Sequence, residues 1–342
     1  LQKKQPYIVS FLLLVLLLIM VFIANISLGS ISIPTKAILD SFIGTQDNIS
    51  WQHIIMDYRL PKAITAIIVG SGLGISGLLM QTLFRNPLAG PFVLGITSGA
   101  SLGVAIVIMG ASIFGGVLLG ILASKWSIVI AATLGSFLVL LTVLIVSSKV
   151  RDTMAILIIG LMFASISAAA VNVLSYFSSA EELQQFFFWG FGSLGNLSWD
   201  EILVLAALYI LGLLLSVISI KTLNSLLLGE NYAKSLGINI KQSRLLIIIA
   251  TSLLAGSITA FAGPIAFIGL AIPHITRQAF NTSNHKVLLP AVFLFGAIIM
   301  LVCDSIAQLP NSEYTLPINA ITSLIGAPIV IWLLVRKRKM MF

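Results

Sequence analysis

The chain has 342 residues, of which 58% are hydrophobic and only 9% charged, with a formal net charge of +8. A soluble globular domain carries about 25% charged residues, so no water-facing surface of ordinary composition can be built here, and soluble enzymes and soluble nucleic-acid-binding domains are excluded. The apolar runs are continuous rather than alternating, which excludes a transmembrane β-barrel and predicts an all-α polytopic transmembrane bundle.

A span needs about 20 apolar residues, and the runs predict ten helices in a single transmembrane domain covering 1–342. The first, 7–28, follows Lys3 and Lys4. It is longer than a signal-peptide core and lacks a small-residue cleavage site, so it reads as a retained helix. Residues 29–60 form a long segment on the far side. The second span, 61–82, runs into "RNPLAGPFVLGITSGA" (85–100), where Asn86, Pro87, Gly90, Pro91, Gly95 and Gly99 break the regular pattern before the third span, 92–110. A Gly-rich stretch, 110–126, reads either as a loop or as an extension of that span. Spans at 127–147 and 154–177 follow. Residues 178–200 hold a Phe and Trp cluster that reads as an interfacial aromatic belt. The sixth span is 201–220 and the seventh 243–262, separated by a long polar segment, 221–242. The last three are 264–277, 287–307 and 318–335.

With the N-terminus inside, ten spans place both termini in the cytoplasm. Of the 19 Lys and Arg, only Lys36, Arg59, Lys62 and Lys125 fall in outside loops. The rest, from Lys3 and Lys4 through Arg85, Lys149, Arg151, Lys221, Lys234, Lys241, Arg244, Arg277 and Lys286 to Arg336–Lys339, fall inside. This asymmetry is what the positive-inside rule expects, so the basic excess is a topology signal and not a nucleic-acid patch. Asp152 and Glu230 are the acidic residues clearly inside. The C-terminal basic run is placed to touch anionic lipid.

Ala-Gly-Pro occurs at 89–91 and again at 262–264. Each copy precedes a Gly-containing apolar run and follows a helix with small residues near its end. The predicted topology puts the two copies on opposite sides, the pattern of an inverted-topology repeat, with chance recurrence as the competing explanation. Breaks in corresponding positions of two halves point to a transport pathway, here Gly263, Pro264, Gly269 and Pro273 in the second half. Irregular backbone at membrane depth is tolerated only where protein or water satisfies it.

Much chemistry is missing. Asp304 is the one clear ionisable residue within a span, near the outer end of the ninth helix. The single cysteine, Cys303, permits no intrachain disulfide and no cysteine metal site. There is no HExxH, and His53, His274 and His285 fall in or beside loops. No catalytic residue, metal site or cofactor is expected. No GxxxxGK[ST] occurs, so energy must come from another chain or from a gradient. In "LLLGENYAKSLGIN" (226–239), Gly229, Ala233 and Gly237 recur every four residues. On a helix they would share one thin face, with Glu230 and Lys234 beside it. The segment reads as a short, surface-lying, two-part helix that forms a docking knob for a partner, or as an interfacial helix on lipid.

These stretches resemble the FecCD-type permease subunits of ABC importers for iron–siderophore complexes, haem and cobalamin. The matching blocks are "YRLPKAITAIIVGSGLGISGLLMQTLFRNPLAGPFVLGITSGASLG" (58–103), "FWGFGSL" (188–194), "LGENYAKSLGI" (228–238), "GPIAFIGLAIPHITR" (263–277) and "LPINAITSLIGAPIVIWLL" (316–334). The resemblance covers nearly the whole chain. It implies a bundle like that of a cobalamin-importer permease in a bacterial cytoplasmic (inner) membrane. It implies a homodimer with the pathway at its interface and a cytoplasmic ATP-binding subunit, in two copies, seated on 222–240. It also implies a periplasmic or lipid-anchored substrate-binding protein that docks on the basic pair Arg59 and Lys62. Interfacial anchoring is the plainer role for that pair. Ferric siderophores are the implied cargo, with haem and cobalamin as alternatives; a gradient-driven secondary transporter is the alternative of another class. Lys62 replaces the family's second arginine and loses its bidentate fork. Gln308 stands where a further outer arginine usually follows the ninth-helix aspartate.

Overall fold

Each apolar stretch must satisfy its backbone internally in lipid, and helix is the local solution for a single segment. In the computed structural model, which describes residues 7–46, 48–114, 124–148, 153–310, 312 and 314–335, each of the ten expected segments falls on a helix, and no strand occurs among the described residues. The helices are α1 (Tyr7–Ser27), α2 (Thr35–Ile43), α3 (Ile49–Leu83), α4 (Ile96–Phe114), α5 (Lys125–Ser148), α6 (Thr153–Phe177), α7 (Ala180–Gly190), α8 (Trp199–Ile218), α9 (Ile220–Leu226), α10 (Glu230–Ser235), α11 (Ile240–Ala262), α12 (Ile268–Phe280), α13 (His285–Ala307) and α14 (Ile318–Val335). Seven of them, α1, α3, α5, α6, α8, α11 and α13, are long and apolar enough to cross a membrane, and α4 and α14 are shorter apolar helices.

Three boundaries differ from the sequence expectation. The second span is the inner part of a 35-residue rod, α3. The segment 29–60 is therefore largely helical, with α2 and the first turns of α3. A π turn at Ile54–Arg59 precedes Pro61, which lacks the N–H that a regular turn would use. In the eighth segment the helix starts only at Ile268. Gly263 has φ 76° and Phe267, at φ 65°, is left-handed, so the residues between them run extended. The 13 residues of α12 reach about 20 Å, well short of a hydrocarbon core of about 30 Å. Finally, α4 continues to Phe114, while 115–123 lie outside the described residues. So do Lys3, Lys4, Lys149, Arg151, Asp152 and the basic run 336–339.

The core is built around α3, which is enclosed on nearly all sides. It packs on α13, α12, α11 and α8. Two crossings set how close these helices come. A Cβ added to Gly70 would overlap the Gly296 carbonyl of α13, and one added to Gly77 would overlap the Gly269 carbonyl of α12. Small residues at both crossings let backbone meet backbone, the usual device where no hydrophobic effect drives helices together. A second layer, α4 against α5 and α6, joins through Gly99 and Gly135, whose backbones touch, and through the Ser136 hydroxyl donating to the Ile96 carbonyl at 2.9 Å. On the opposite flank α1 packs along α13, with Tyr7 and Phe11 against Phe280. The outer sides of α1, α5, α6 and α8 expose Leu12, Leu138, Ile166 and Leu211, an apolar belt of the kind a lipid-facing surface requires.

The helices alternate between two ends of the bundle. One end carries Arg59, Lys62, α2 and α7. The other carries Arg85, α9, α10 and the start of α13.

Candidate functional site

At the Arg59 end a cavity of about 800 Å³ opens between α3, α7 and α13, lined by Tyr58, Arg59, Lys62, Phe188, Phe191, Asp304 and Gln308 among others. Both predicted docking cations line it, and both have partners within the chain. Arg59 Nη1 donates to the carbonyls of Ile26 (2.7 Å) and Ser27 (2.9 Å), and Nη2 donates to the Ile31 carbonyl. Carbonyls at a helix C-terminus have no intrahelical donor and carry negative partial charge, so the guanidinium serves as the cap of α1. Lys62 Nζ lies 3.1 Å from Asp304 Oδ1. The other carboxylate oxygen, Oδ2, accepts from Asn25 Nδ2 at 2.9 Å and from Gln308 Nε2 at 2.7 Å. Asp304 is thus a buried charge with three donors, which is what makes burial tolerable.

The first Ala-Gly-Pro break packs against α12, the helix that follows the second break. After α3, Arg85 adopts φ 46° and the Asn86 side chain accepts from Leu88 N at 2.9 Å, a local turn that leads through Gly90 into a 3₁₀ turn at Pro91–Leu94. Gly95, left-handed at φ 75°, then releases the chain into α4. The second break ends the same way, on left-handed Phe267. His274 Nε2 bonds the Pro87 carbonyl at 2.9 Å, Gln81 Nε2 donates to the Leu270 carbonyl at 3.3 Å, and a Cβ on Gly269 would lie 3.1 Å from Pro91. Pro273 sits inside α12. The predicted break residues therefore occupy three places. Pro87 and Pro91 face the α12 stretch holding Gly269 and Pro273, with Asn86 and Gly90 shaping the turn between them. Gly95 and Gly99 face α5 and α6. Gly263 and Pro264 lie against Gly192 near the Arg59 end.

The extended stretch between Gly263 and Ile268 leaves backbone groups to be satisfied by the rest of the protein. Asn319, in the first turn of α14, does part of this: its Oδ1 accepts from Ala266 N at 3.0 Å, while its own N–H bonds the Phe191 carbonyl at 3.2 Å. Sequence reasoning passed over Asn319. Its one visible signal is an amide side chain two residues past Pro317 at the start of an apolar run.

At the Arg85 end, the segment 222–240 folds as two short helices, α9 and α10, joined by a turn, and Gly229, Ala233 and Gly237 do not line one helical face. Gly229 caps α10 with φ 106° and ψ 154° and Gly237 lies beyond it with φ 80°, conformations open chiefly to glycine. The spacing of four therefore marks the two caps of a short helix. Ala233, between them, is buried against the protein. The Ile238 N–H returns to the Ala233 carbonyl at 3.1 Å, closing the helix as glycine C-caps do. Glu230 pairs with Arg244 of α11 at 3.1 Å, and Lys234 is exposed. What this segment presents outward is apolar: Leu228, Tyr232 and Leu236, also spaced by four, are each more than half exposed.

Behind this row lies a buried polar junction. His285 is fully buried at the start of α13. Its Nδ1 bonds Asn224 Oδ1 of α9 at 2.8 Å and its Nε2 bonds Thr82 Oγ1 of α3 at 2.9 Å. Arg277 of α12 donates to the same Thr82 oxygen at 3.4 Å, and Asn224 also reaches Asn284 at 3.0 Å. Four elements, including the presenting segment and both helices that flank the breaks, are tied at one point.

The glycine cap is open to test. Gly229→Ala places a Cβ in backbone space that costs about 1–3 kcal/mol for other residues. Membrane insertion should be normal and capture of the ATP-binding subunit that the sequence resemblance implies should be lost in mild detergent, while Gly237→Asn, tolerable in a left-handed cap, should retain it. Full capture by the alanine variant would remove the shape of α10 from any docking role.

Against this geometry stand the likenesses to known proteins. The profile of the FecCD transport family matches residues 16–336. The hemin transport system permease protein HmuU of Yersinia pestis is 34% identical over 339 residues, covering 98% of each chain. The vitamin B12 import system permease protein BtuC of Klebsiella pneumoniae is 37% identical over 289 residues, covering 84% of each. Among solved structures, a metal-chelate type ABC transporter in an inward-facing conformation superposes with a TM-score of 0.84 at 31% identity, covering 96% of this chain and 100% of the other.

Proposed function

This chain belongs to the FecCD transport family, and from that membership we propose that two copies of it form the passage of a binding-protein-dependent ABC importer whose cargo is a ferric siderophore. It is a polytopic permease of that importer class. The membrane is the bacterial cytoplasmic (inner) membrane, with the Arg85 end and both termini in the cytoplasm. The charge pattern supports this placing: Arg85, Lys221, Lys234, Lys241, Arg244, Arg277 and Lys286 are all at that end, against Lys36, Arg59, Lys62 and Lys125 at the other.

The observation that carries the reading is the Arg85-end platform. An exposed apolar row sits on a segment bonded, through Asn224 and His285, to the helices around the breaks, and the sequence has no GxxxxGK[ST] motif for binding ATP by a P-loop. A separate ATPase pair seated on Leu228, Tyr232 and Leu236 would move that segment. The junction would pass the movement to α3, α12 and α13, and the Gly-Pro breaks would let those helices exchange outward-open for inward-open packing. Each partner must bind one state better than the other for this to work. At the outer end a substrate-binding protein docks on the rim around Arg59 and Lys62, with Arg59 holding the rim's shape through α1. Passage walls with few charges suit a bulky chelate that must not be trapped midway.

Haem is the second reading of the cargo, favoured by the end-to-end likeness to a hemin permease; cobalamin follows from the likeness to a vitamin B12 permease. Vesicles holding this chain with its ATPase subunit and binding protein should take up labelled ferric siderophore in an ATP-dependent way, and labelled haem and cobalamin at least about tenfold more slowly, the ratio that about 1.4 kcal/mol of discrimination gives. Faster haem or cobalamin uptake reassigns the cargo. Uphill uptake by this chain without the ATPase overturns the importer reading in favour of a gradient-driven carrier.

A further inference from the structure

The cavity at the Arg59 end holds two cations in different situations. Arg59 is fixed by three backbone carbonyls of the turn that closes α1. Among the described residues Lys62 has one partner, Asp304, and the pair is lopsided: the Lys62 side chain keeps 21% of its surface exposed, whereas Asp304 keeps 2%. The lysine faces the opening and the carboxylate lies beneath it.

We infer that the Lys62–Asp304 pair is a mask over the docking cation: Lys62 is exchangeable, held by Asp304 when the outer face is empty and passed to a carboxylate of the arriving protein when it is occupied. This rests on the docking reading above and adds regulation to it. An exchange of this kind needs the abandoned carboxylate to survive without its cation, since stripping one partner from a buried pair is ordinarily costly. Asp304 is equipped for that. Lys62 engages Oδ1 alone, while Asn25 and Gln308 both donate to Oδ2. Gln308 lies one helical turn beyond Asp304 on the same face of α13 and reaches back to it at 2.7 Å. It carries no charge, so it supports Asp304 without competing for an incoming carboxylate.

The acylation rate of Lys62 reads the mask directly and needs no binding protein. The chain in lipid nanodiscs is treated with a membrane-impermeant sulfonated N-hydroxysuccinimide acetate and analysed by peptide mass spectrometry. Exposed Lys36 serves as the internal reference. In the unaltered chain Lys62 should react far more slowly than Lys36. Asp304→Asn should speed Lys62 by about tenfold, the factor that about 1.4 kcal/mol of lost pairing represents. Gln308→Ala should act in the opposite sense and slow it by about threefold, because Asp304 then leans harder on its remaining donors. A merely structural hydrogen bond would loosen the site and speed the lysine, so faster labelling in Gln308→Ala overturns the mask. That variant also keeps the test intact should Asp304→Asn fail to elute as a folded species. A glutamate-rich heptapeptide added at millimolar concentration should protect Lys62 in Asp304→Asn more than in the unaltered chain. Opposite shifts in the two variants without peptide protection would leave the mask standing and overturn the carboxylate docking on which its use depends.

Discussion

Gly77→Leu should leave almost no folded protein in the membrane. A Cβ at this position would already overlap the Gly269 carbonyl and crowd the Gly269 backbone, and leucine adds three further carbons in the same direction. Overpacking a core with side chains able to yield costs about 1–3 kcal/mol. Here the obstacle is main chain at the start of α12, immediately after the extended stretch that ends at left-handed Phe267. To give way, α12 would have to leave α3, losing the Gln81–Leu270 bond and drawing His274 from the Pro87 carbonyl. The expected loss is therefore at least about 3 kcal/mol, the upper part of that range. Detergent-solubilised protein should show a collapsed monodisperse peak on size exclusion and a fall in thermal midpoint of many degrees. Gly190→Ala is the matched control, since nothing lies within 4 Å of its added Cβ; its midpoint should stay within a few degrees. Normal yield and midpoint for Gly77→Leu would mean that α3 and α12 do not cross as described.

The second large effect is on assembly, not folding. Tyr232→Glu together with Leu228→Ser and Leu236→Ser should abolish capture of the ATPase subunit and transport while leaving the thermal midpoint unchanged. All three side chains are more than half exposed and none belongs to a buried core cluster. A buried tyrosine at an interface centre is commonly worth at least about 2 kcal/mol on truncation, which alone weakens binding about thirtyfold, and the two leucines and the introduced charge add to it. Lys234→Ala, at the rim of the same surface, should change affinity by less than about threefold, as exposed single charges do. Co-purification in mild detergent followed by stimulated ATP hydrolysis checks both. Intact capture by the triple variant would move the engine's seat away from α10.

These two predictions draw on features of unequal visibility in the sequence. The helices were legible because continuous apolar runs and the Lys and Arg asymmetry are one-dimensional signals of burial in lipid. The breaks were legible because Gly and Pro announce irregular backbone, and the echo of Ala-Gly-Pro at 89–91 and 262–264 marked both. That the first break packs on the helix after the second was not legible, since the contact joins residues 187 apart, Pro87 and His274. The junction of Asn224, His285, Thr82 and Arg277 was hidden for the same reason: lone polar residues at helix ends have no period. The segment 226–239 misled in its geometry, because glycines every four residues look alike whether they line a helix or cap both its ends. Only their positive φ values separate the cases. Lys62 and Asp304 were each picked out separately, yet their pairing was not, for nothing in the order of residues joins the second span to the ninth.

The enclosure of α3 also constrains how the protein is made. This helix leaves the ribosome well before α11, α12 and α13, which cover much of it; Thr82 waits for His285, 203 positions later. Until those helices arrive, its glycine- and serine-rich flanks face lipid or a chaperone, with closure delayed by long-range contacts. Translation that stops before residue 285 would leave the α13-facing flank of an inserted pillar uncovered, an exposed surface by which membrane proteases could tell an unfinished chain from a finished one.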